Sequence, residues 1–228
     1  MNTSFAYRSI YEKLFSAYGA RHWWPGDSPF EIMVGAVLTQ NTAWVNVEKA
    51  IANLKRARML SARAIVETHP RRVANLIRPS GYFNVKAKRL RALCRWIIDA
   101  GGLKRMARMS TEELRCALLA VHGIGPETAD DILLYAFERP VFVIDAYTRR
   151  VFARLGAIQG SESYETLRGA FEASLGEDVL LYNEYHALIV RHGKETCRKQ
   201  PLCHSCCLAT DCFARGANGI KSPIDNRC

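Results

Sequence analysis

Residues 118–137 read LLAVHGIGPETADDILLYAF, and the fold turns on them. Leu118 and Leu119 close an apolar helical pattern that opens at a capping box, Ser110 with Glu113. Gly123 and Gly125, two apart, permit a tight turn and let backbone come close to a ligand. Pro126 then opens a second helix with Ala129, Ile132, Leu133 and Ala136 facing inward. Two helices joined by a glycine turn make a helical hairpin. The N–H groups of His122, Gly123, Ile124 and Gly125, with the following helix N-terminus, present partial positive charge suited to a phosphate. An ordinary αα-corner needs the same glycines for steric reasons alone, so the turn by itself leaves both readings open.

Outward from the hairpin, helical periodicity continues. Ser28, Pro29 and Glu31 form a capping box with proline at the first helical position, and the helix they open, PFEIMVGAVLTQ, is apolar nearly all round, as a buried helix must be. From Lys86 a long pattern places Leu90, Leu93, Cys94, Ile97 and Ile98 on one stripe and stops at Gly101-Gly102. The one strand-like run, Val141–Ile144, is too short and isolated to carry a sheet. These features predict an all-α chain.

Composition sets the class of partner. The 228 residues carry 32 basic against 22 acidic side chains, a formal charge of +10, and about half of them are apolar. That is a globular chain able to bury a core, with an excess of positive charge suited to a polyanion such as nucleic acid, although such charge also serves solubility. No apolar stretch is long enough for a membrane span, and MNTSFAYRSIYEK lacks the pattern of a secretory leader, so a cytoplasmic protein with no membrane partner is expected.

Of eight cysteines, Cys94 and Cys116 lie on apolar helical faces. Five others, Cys197, Cys203, Cys206, Cys207 and Cys212, crowd into one aperiodic stretch with too few large apolar residues to order itself. In a reducing compartment such a crowd points to metal ligation rather than disulfides.

The hairpin, Asp145 about twenty residues after it, and this tail together resemble the endonuclease III (helix-hairpin-helix) superfamily of DNA base-excision glycosylases, from about Pro29 to Cys212. Within it, Trp23-Trp24-Pro25, GAVLTQNTAW, RPSGYFNVKAKRL and GIGPETADDIL look most like 3-methyladenine DNA glycosylases of endonuclease III type. The resemblance implies a two-lobed fold: a six-helix barrel lobe over residues 28–137, and a second lobe from residues 1–27 and 138–228, with a cluster loop at 197–212 and the pocket in the cleft between lobes.

The resemblance also implies roles. Asp145 matches the catalytic aspartate, which stabilises positive charge growing on the sugar and orients or deprotonates water. An aspartate after an apolar run also N-caps helices, and both roles can hold at once. Glu127 stands where relatives that nick the backbone carry a lysine nucleophile. A carboxylate cannot form an imine, so a monofunctional glycosylase is expected.

Trp23, Trp24, Pro25 and Trp44 match positions that line the pocket for an extruded base, with Glu127 at its edge. Stacking is worth roughly 1–3 kcal/mol per base, and a cationic alkylated purine adds a cation–π attraction of about 0.5–2 kcal/mol. Each tryptophan taken singly is equally suited to a core. Asn41 matches the residue inserted into the gap left by the extruded nucleotide, and Tyr82 the wedge beside the estranged base. Lys86, Lys88, Arg89 and Arg91 would contact phosphates, or form a solvated helix face.

Cys197-x5-Cys203-x2-Cys206-x5-Cys212 looks like the family's loop for a 4Fe-4S iron–sulfur cluster, shortened by one residue in its first gap. The adjacent Cys207 competes with Cys206 as third ligand, and four thiolates also suit zinc. The loop would present Arg198 and Lys199 to the DNA backbone.

The expected activity is hydrolysis of the N-glycosidic bond of an alkylated purine, of the 3-methyladenine or 7-methylguanine type, in double-stranded DNA, by a monomer. The alternatives are a glycosylase for mismatched thymine, uracil or an oxidised pyrimidine, and a non-catalytic iron–sulfur DNA-binding protein.

Overall fold

A computed structural model of the chain describes residues 7–21, 23 and 26–216. Trp24 and Pro25, both expected in the base pocket, lie outside the described residues. Within them the fold is all-helical, as the periodicity predicts, with no strand.

The chain divides into two compact units. The first, residues 24–139, contains α2 (Pro29–Leu38), α3 (Trp44–Arg56), α4 (Ala62–Glu67), α5 (Pro70–Leu76), α6 (Phe83–Asp99), α7 (Leu103–Met106), α8 (Thr111–Leu119) and α9 (Pro126–Asp131), which runs into a π-helical turn, Ile132–Ala136. The second contains α1 (Tyr7–Tyr18), α10 (Ala146–Leu155), α11 (Tyr164–Leu175), α12 (Val179–Glu195) and α13 (Phe213–Gly216).

In the first unit α2 is the central post. Every residue from Glu31 to Leu38 is buried, and α3, α6, α9 and the π turn pack around it. Ser28 caps α2 by accepting from the Glu31 N–H, but the Glu31 carboxylate turns instead to Lys55, 2.7 Å away. The expected reciprocal box forms at Ser110 and Glu113. Ile98, placed on the apolar stripe of α6, is 41% exposed while Ile97 beside it is buried, because Ile98 falls at the edge of the buried stripe. Cys116 is exposed rather than apolar-facing. On α8 the buried positions are Leu114 and Leu118, and a residue midway between them points to the opposite side.

The second unit is built around aromatic packing, with Phe142 stacked on Phe171 at 4.3 Å and Tyr185 edge-on to Phe142 at 5.8 Å. Val141–Ile144 is an extended buried segment with no partner strand. Side chains take up its backbone donors instead: the Phe142 N–H donates to Glu172 (2.9 Å) and the Ile144 N–H to the Tyr164 hydroxyl (3.4 Å). This buried segment leads directly to Asp145 at the start of α10.

Candidate active site

Asp145 divides its carboxylate between two tasks. Oδ1 caps α10, accepting from the Thr148 N–H at 2.7 Å and the Thr148 hydroxyl at 2.8 Å. Oδ2 faces His186 Nε2 at 3.6 Å, and that ring lies 6.3 Å from the indole of Trp23. Burial alone would raise this carboxyl. The adjacent His186 and the Thr148 donors outweigh it and hold the group below its ordinary range. The helix cap and the His186 contact use different oxygens. His186 is a buried histidine of α12, forty-one residues beyond Asp145, and nothing in the local sequence marks it.

In the other unit the hairpin turn is shaped from within. Gly123 has φ +84°, and a Cβ there would meet Arg89 Cγ at 2.3 Å, so glycine is required twice over. Gly125 is different: a Cβ would touch nothing within 4 Å, so the protein's own packing does not demand its bareness. Ile124 buries its side chain and donates its N–H to the Val121 carbonyl, so it anchors the turn and offers a ligand neither group. Gln40 holds the turn from below, donating to the Gly123 carbonyl (3.1 Å) and the Thr128 hydroxyl (2.9 Å) while accepting from Arg89. His122 and Glu127 are exposed beside it.

Asn41 and Tyr82 are both exposed, Tyr82 by 74%, and both are left-handed, with φ of 52° and 43°. A positive φ is uncommon for asparagine and an outlier for tyrosine. Their mounts are tied to Lys86, which the sequence places among phosphate-contacting cations. That expectation is overturned. Lys86 is 2% exposed, its ammonium donating to Leu38 O (2.9 Å), Thr42 Oγ1 (2.8 Å) and Ser80 O (2.7 Å), because α6 turns its first buried face under both loops. Burial, then Arg89, pulls its pKa down to about 8. Arg91 is likewise occupied internally, donating to the carbonyls of Ile65 and Thr68. Lys88 remains exposed.

Trp44 begins α3 with its ring against Gly35, where a Cβ would approach to 3.2 Å. It also lines a cavity of about 280 Å³ with Glu31, Glu48, Ile51 and Lys55. That is just under the roughly 300–1,000 Å³ of ordinary small-molecule pockets. Trp44 thus serves the packing against Gly35 and also lines this open hollow.

The tail is held by α10. Arg150 donates to the carbonyls of Gly193 and Cys197, and Arg154 to those of Cys197, Arg198 and Lys199. Arg198 and Lys199 are exposed. Cys206 Sγ stands 3.8 Å from His192 Nε2, and Cys212 Sγ donates to the Arg154 carbonyl at 3.4 Å. Among the described residues no three histidine, cysteine, aspartate or glutamate side chains converge to hold one metal ion. Burial raises the Cys206 thiol, as do Cys207, Cys197 and Cys212 nearby; Cys207 instead hydrogen-bonds with Tyr18. Among the described residues no helix is long and apolar enough to cross a membrane.

A helical hairpin with a bare glycine turn and a buried aspartate that caps a helix and faces a histidine are combined in a chain whose relatives act on DNA. The chain belongs to the HhH-GPD superfamily of base excision DNA repair proteins, whose family pattern matches residues 34–176. It is 44% identical over 209 residues to a candidate DNA repair glycosylase of Methanocaldococcus jannaschii, MJ1434, covering 90% of this chain and 95% of that one. It is 30% identical to endonuclease III of Thermotoga maritima, covering 87% and 89%. Among solved structures it is similar to the 3-methyladenine DNA glycosylase MagIII of H. pylori bound to 1,N6-ethenoadenine, with 31% identity, a TM-score of 0.71 and coverage of 82% and 96%. A non-covalent endonuclease III–DNA complex shares the fold at a TM-score of 0.79 and 22% identity, covering 92% and 94%. The protein is a DNA glycosylase of base excision repair.

Proposed function

We propose that this glycosylase is monofunctional and removes alkylated purines from double-stranded DNA by direct hydrolysis. The observation that carries the proposal is the Asp145 carboxylate. It is held ionised by Thr148 and His186 beside the Trp23 indole, while Glu127 occupies the hairpin position where the resemblance calls for a lysine nucleophile.

The step runs as follows. As the N-glycosidic bond breaks, its electron pair returns to the ring nitrogen and discharges the purine's positive charge, so no strong general acid is required. The cation developing on the sugar is opposed by the Asp145 carboxylate. Water bonds to the anomeric carbon and its proton passes to Asp145. An abasic site remains with its backbone intact. Trp44 and the Glu48 carboxylate lining the cavity near it suit a base that is cationic before departure. Trp23, Trp24 and Pro25 are assigned to base binding on the resemblance. Asn41 and Tyr82 enter the duplex, and the open space at Gly125 admits a phosphate.

The tail is assigned a 4Fe-4S cluster. The donor set fits, since four thiolates are what such a cluster takes, and among the described residues after Cys197 the one buried apolar side chain is Leu208. Cys197, Cys203, Cys206 and Cys212 would hold it. Cys206 is preferred to Cys207 because it keeps the two-residue gap after Cys203, where Cys207 would make the gaps three and four. The cluster would supply a structural anchor for the loop bearing Arg198 and Lys199.

The deciding experiment measures release of 3-methyladenine and 7-methylguanine from methylated duplex, against release of uracil or thymine from defined mispairs. Release of the methylated purines, with no adduct trapped by borohydride, is expected. Preferential uracil or thymine release, or a trapped imine, would overturn the reading.

A further inference from the structure

We propose that Lys86 is a positioning residue that sets Asn41 and Tyr82 as one rigid pair for base extrusion, an inference that rests on the reading that both side chains enter the duplex. The Lys86 ammonium has three donors and finds three acceptors, each on a segment bearing one of the two residues. Leu38 O ends the helix three residues before Asn41, Thr42 Oγ1 follows it directly, and Ser80 O precedes Tyr82 by two residues. The Thr42 hydroxyl in turn donates to Ser80 O, closing the network.

Three facts separate this from ordinary core support. A lysine at 2% exposure is a costly way to fill a core, and well-packed apolar residues of similar volume generally serve stability as well or better. Both supported residues occupy left-handed backbone yet expose their side chains, so the strain contributes nothing to packing. The acceptors are backbone and hydroxyl oxygens fixed in direction, so three bonds define a geometry where apolar contact would define only a distance. Strain held by a rigid mount on exposed side chains fits a device shaped in advance for a ligand. Arg89, one turn along α6, extends the mount to the hairpin through Gln40 and the Gly123 carbonyl.

The test uses a duplex with 2-aminopurine beside a tetrahydrofuran abasic-site analogue, whose fluorescence rises on unstacking. Wild type should raise it. Asn41→Ala and Tyr82→Ala should each lose the rise. Lys86→Met, accepted as folded by helical dichroism and a cooperative melt, should lose it by roughly tenfold to a hundredfold while binding undamaged duplex within about twofold of wild type, because phosphate contacts are untouched. Thr42→Val, which keeps the lysine, should show a partial loss, and the double variant should be no worse than Lys86→Met alone, as a shared network requires. A folded Lys86→Met with a wild-type rise overturns the inference; if that variant does not fold, a wild-type rise from Thr42→Val overturns it. An unchanged rise in Asn41→Ala and Tyr82→Ala would overturn the duplex-entry reading and this inference with it. Loss in those two alone sinks only the role of Lys86.

Discussion

His186 Nε2 stands 3.6 Å from Asp145 Oδ2, on the side of the carboxylate that the helix cap leaves open. Removing the charge at Asp145 and removing its neighbour should therefore have different signatures. Asp145→Asn keeps a capping oxygen, so DNA affinity should stay near wild type while kcat falls by roughly 10²–10⁴-fold or below detection. Normal excision by that variant would refute the mechanism.

His186→Ala should act through pH. Burial raises the Asp145 carboxyl, but His186 and Thr148 bring it below the usual carboxylate range. Excision in wild type should hold down to the lower edge of that range. The charged group's contribution to stability is present above the unfolded value and is lost as pH falls through the depressed folded one. With His186 removed, the acid limb of kcat/KM should move to higher pH. An unmoved limb would mean that Thr148 alone sets the carboxylate.

Lys86 gives a stability profile of the same sign, but in the alkaline range. Its folded pKa, about 8, lies below the roughly 10.4 of an unfolded lysine. Between those values the unfolded chain holds the extra proton, so this group's contribution to stability rises with pH. Urea midpoints of wild type and Lys86→Met, compared from pH 7 to 10, should diverge in favour of wild type across that window. A constant gap would place the lysine pKa at its ordinary value.

Binding should weaken by orders of magnitude over a few-fold rise in salt, as phosphate contacts demand. Lys88→Ala should reduce that salt slope by about one. Arg91→Ala should not, because its guanidinium is spent on the carbonyls of Ile65 and Thr68.

Freshly purified protein should show broad brown absorption. Cys206→Ser should bleach it and loosen the loop, whereas Cys207→Ser should leave the colour. A colourless protein carrying stoichiometric zinc would replace the cluster by a tetrahedral site.

What could be read without a structure was whatever is local. Gly123, Gly125 and Pro126 specify a hairpin because backbone conformation depends on adjacent residues. The capping serine at 110 and the apolar α2 specify helices for the same reason, and Asp145 was marked by its run of apolar neighbours. Lys86 was misread because a charge pattern along a helix does not say which side is covered. Its three acceptors come from two separate loops, 48 and 44 residues back in sequence in one case and 6 in the other. His186 was missed because a lone histidine on a helix carries no signal until packing sets it beside a carboxylate. The residues alone determined an all-helical chain with a hairpin, a lone candidate carboxylate and a thiol-rich tail. Tertiary packing alone decided which cations face outward and which oxygen of Asp145 faces His186, since burial and direction arise only where distant segments meet.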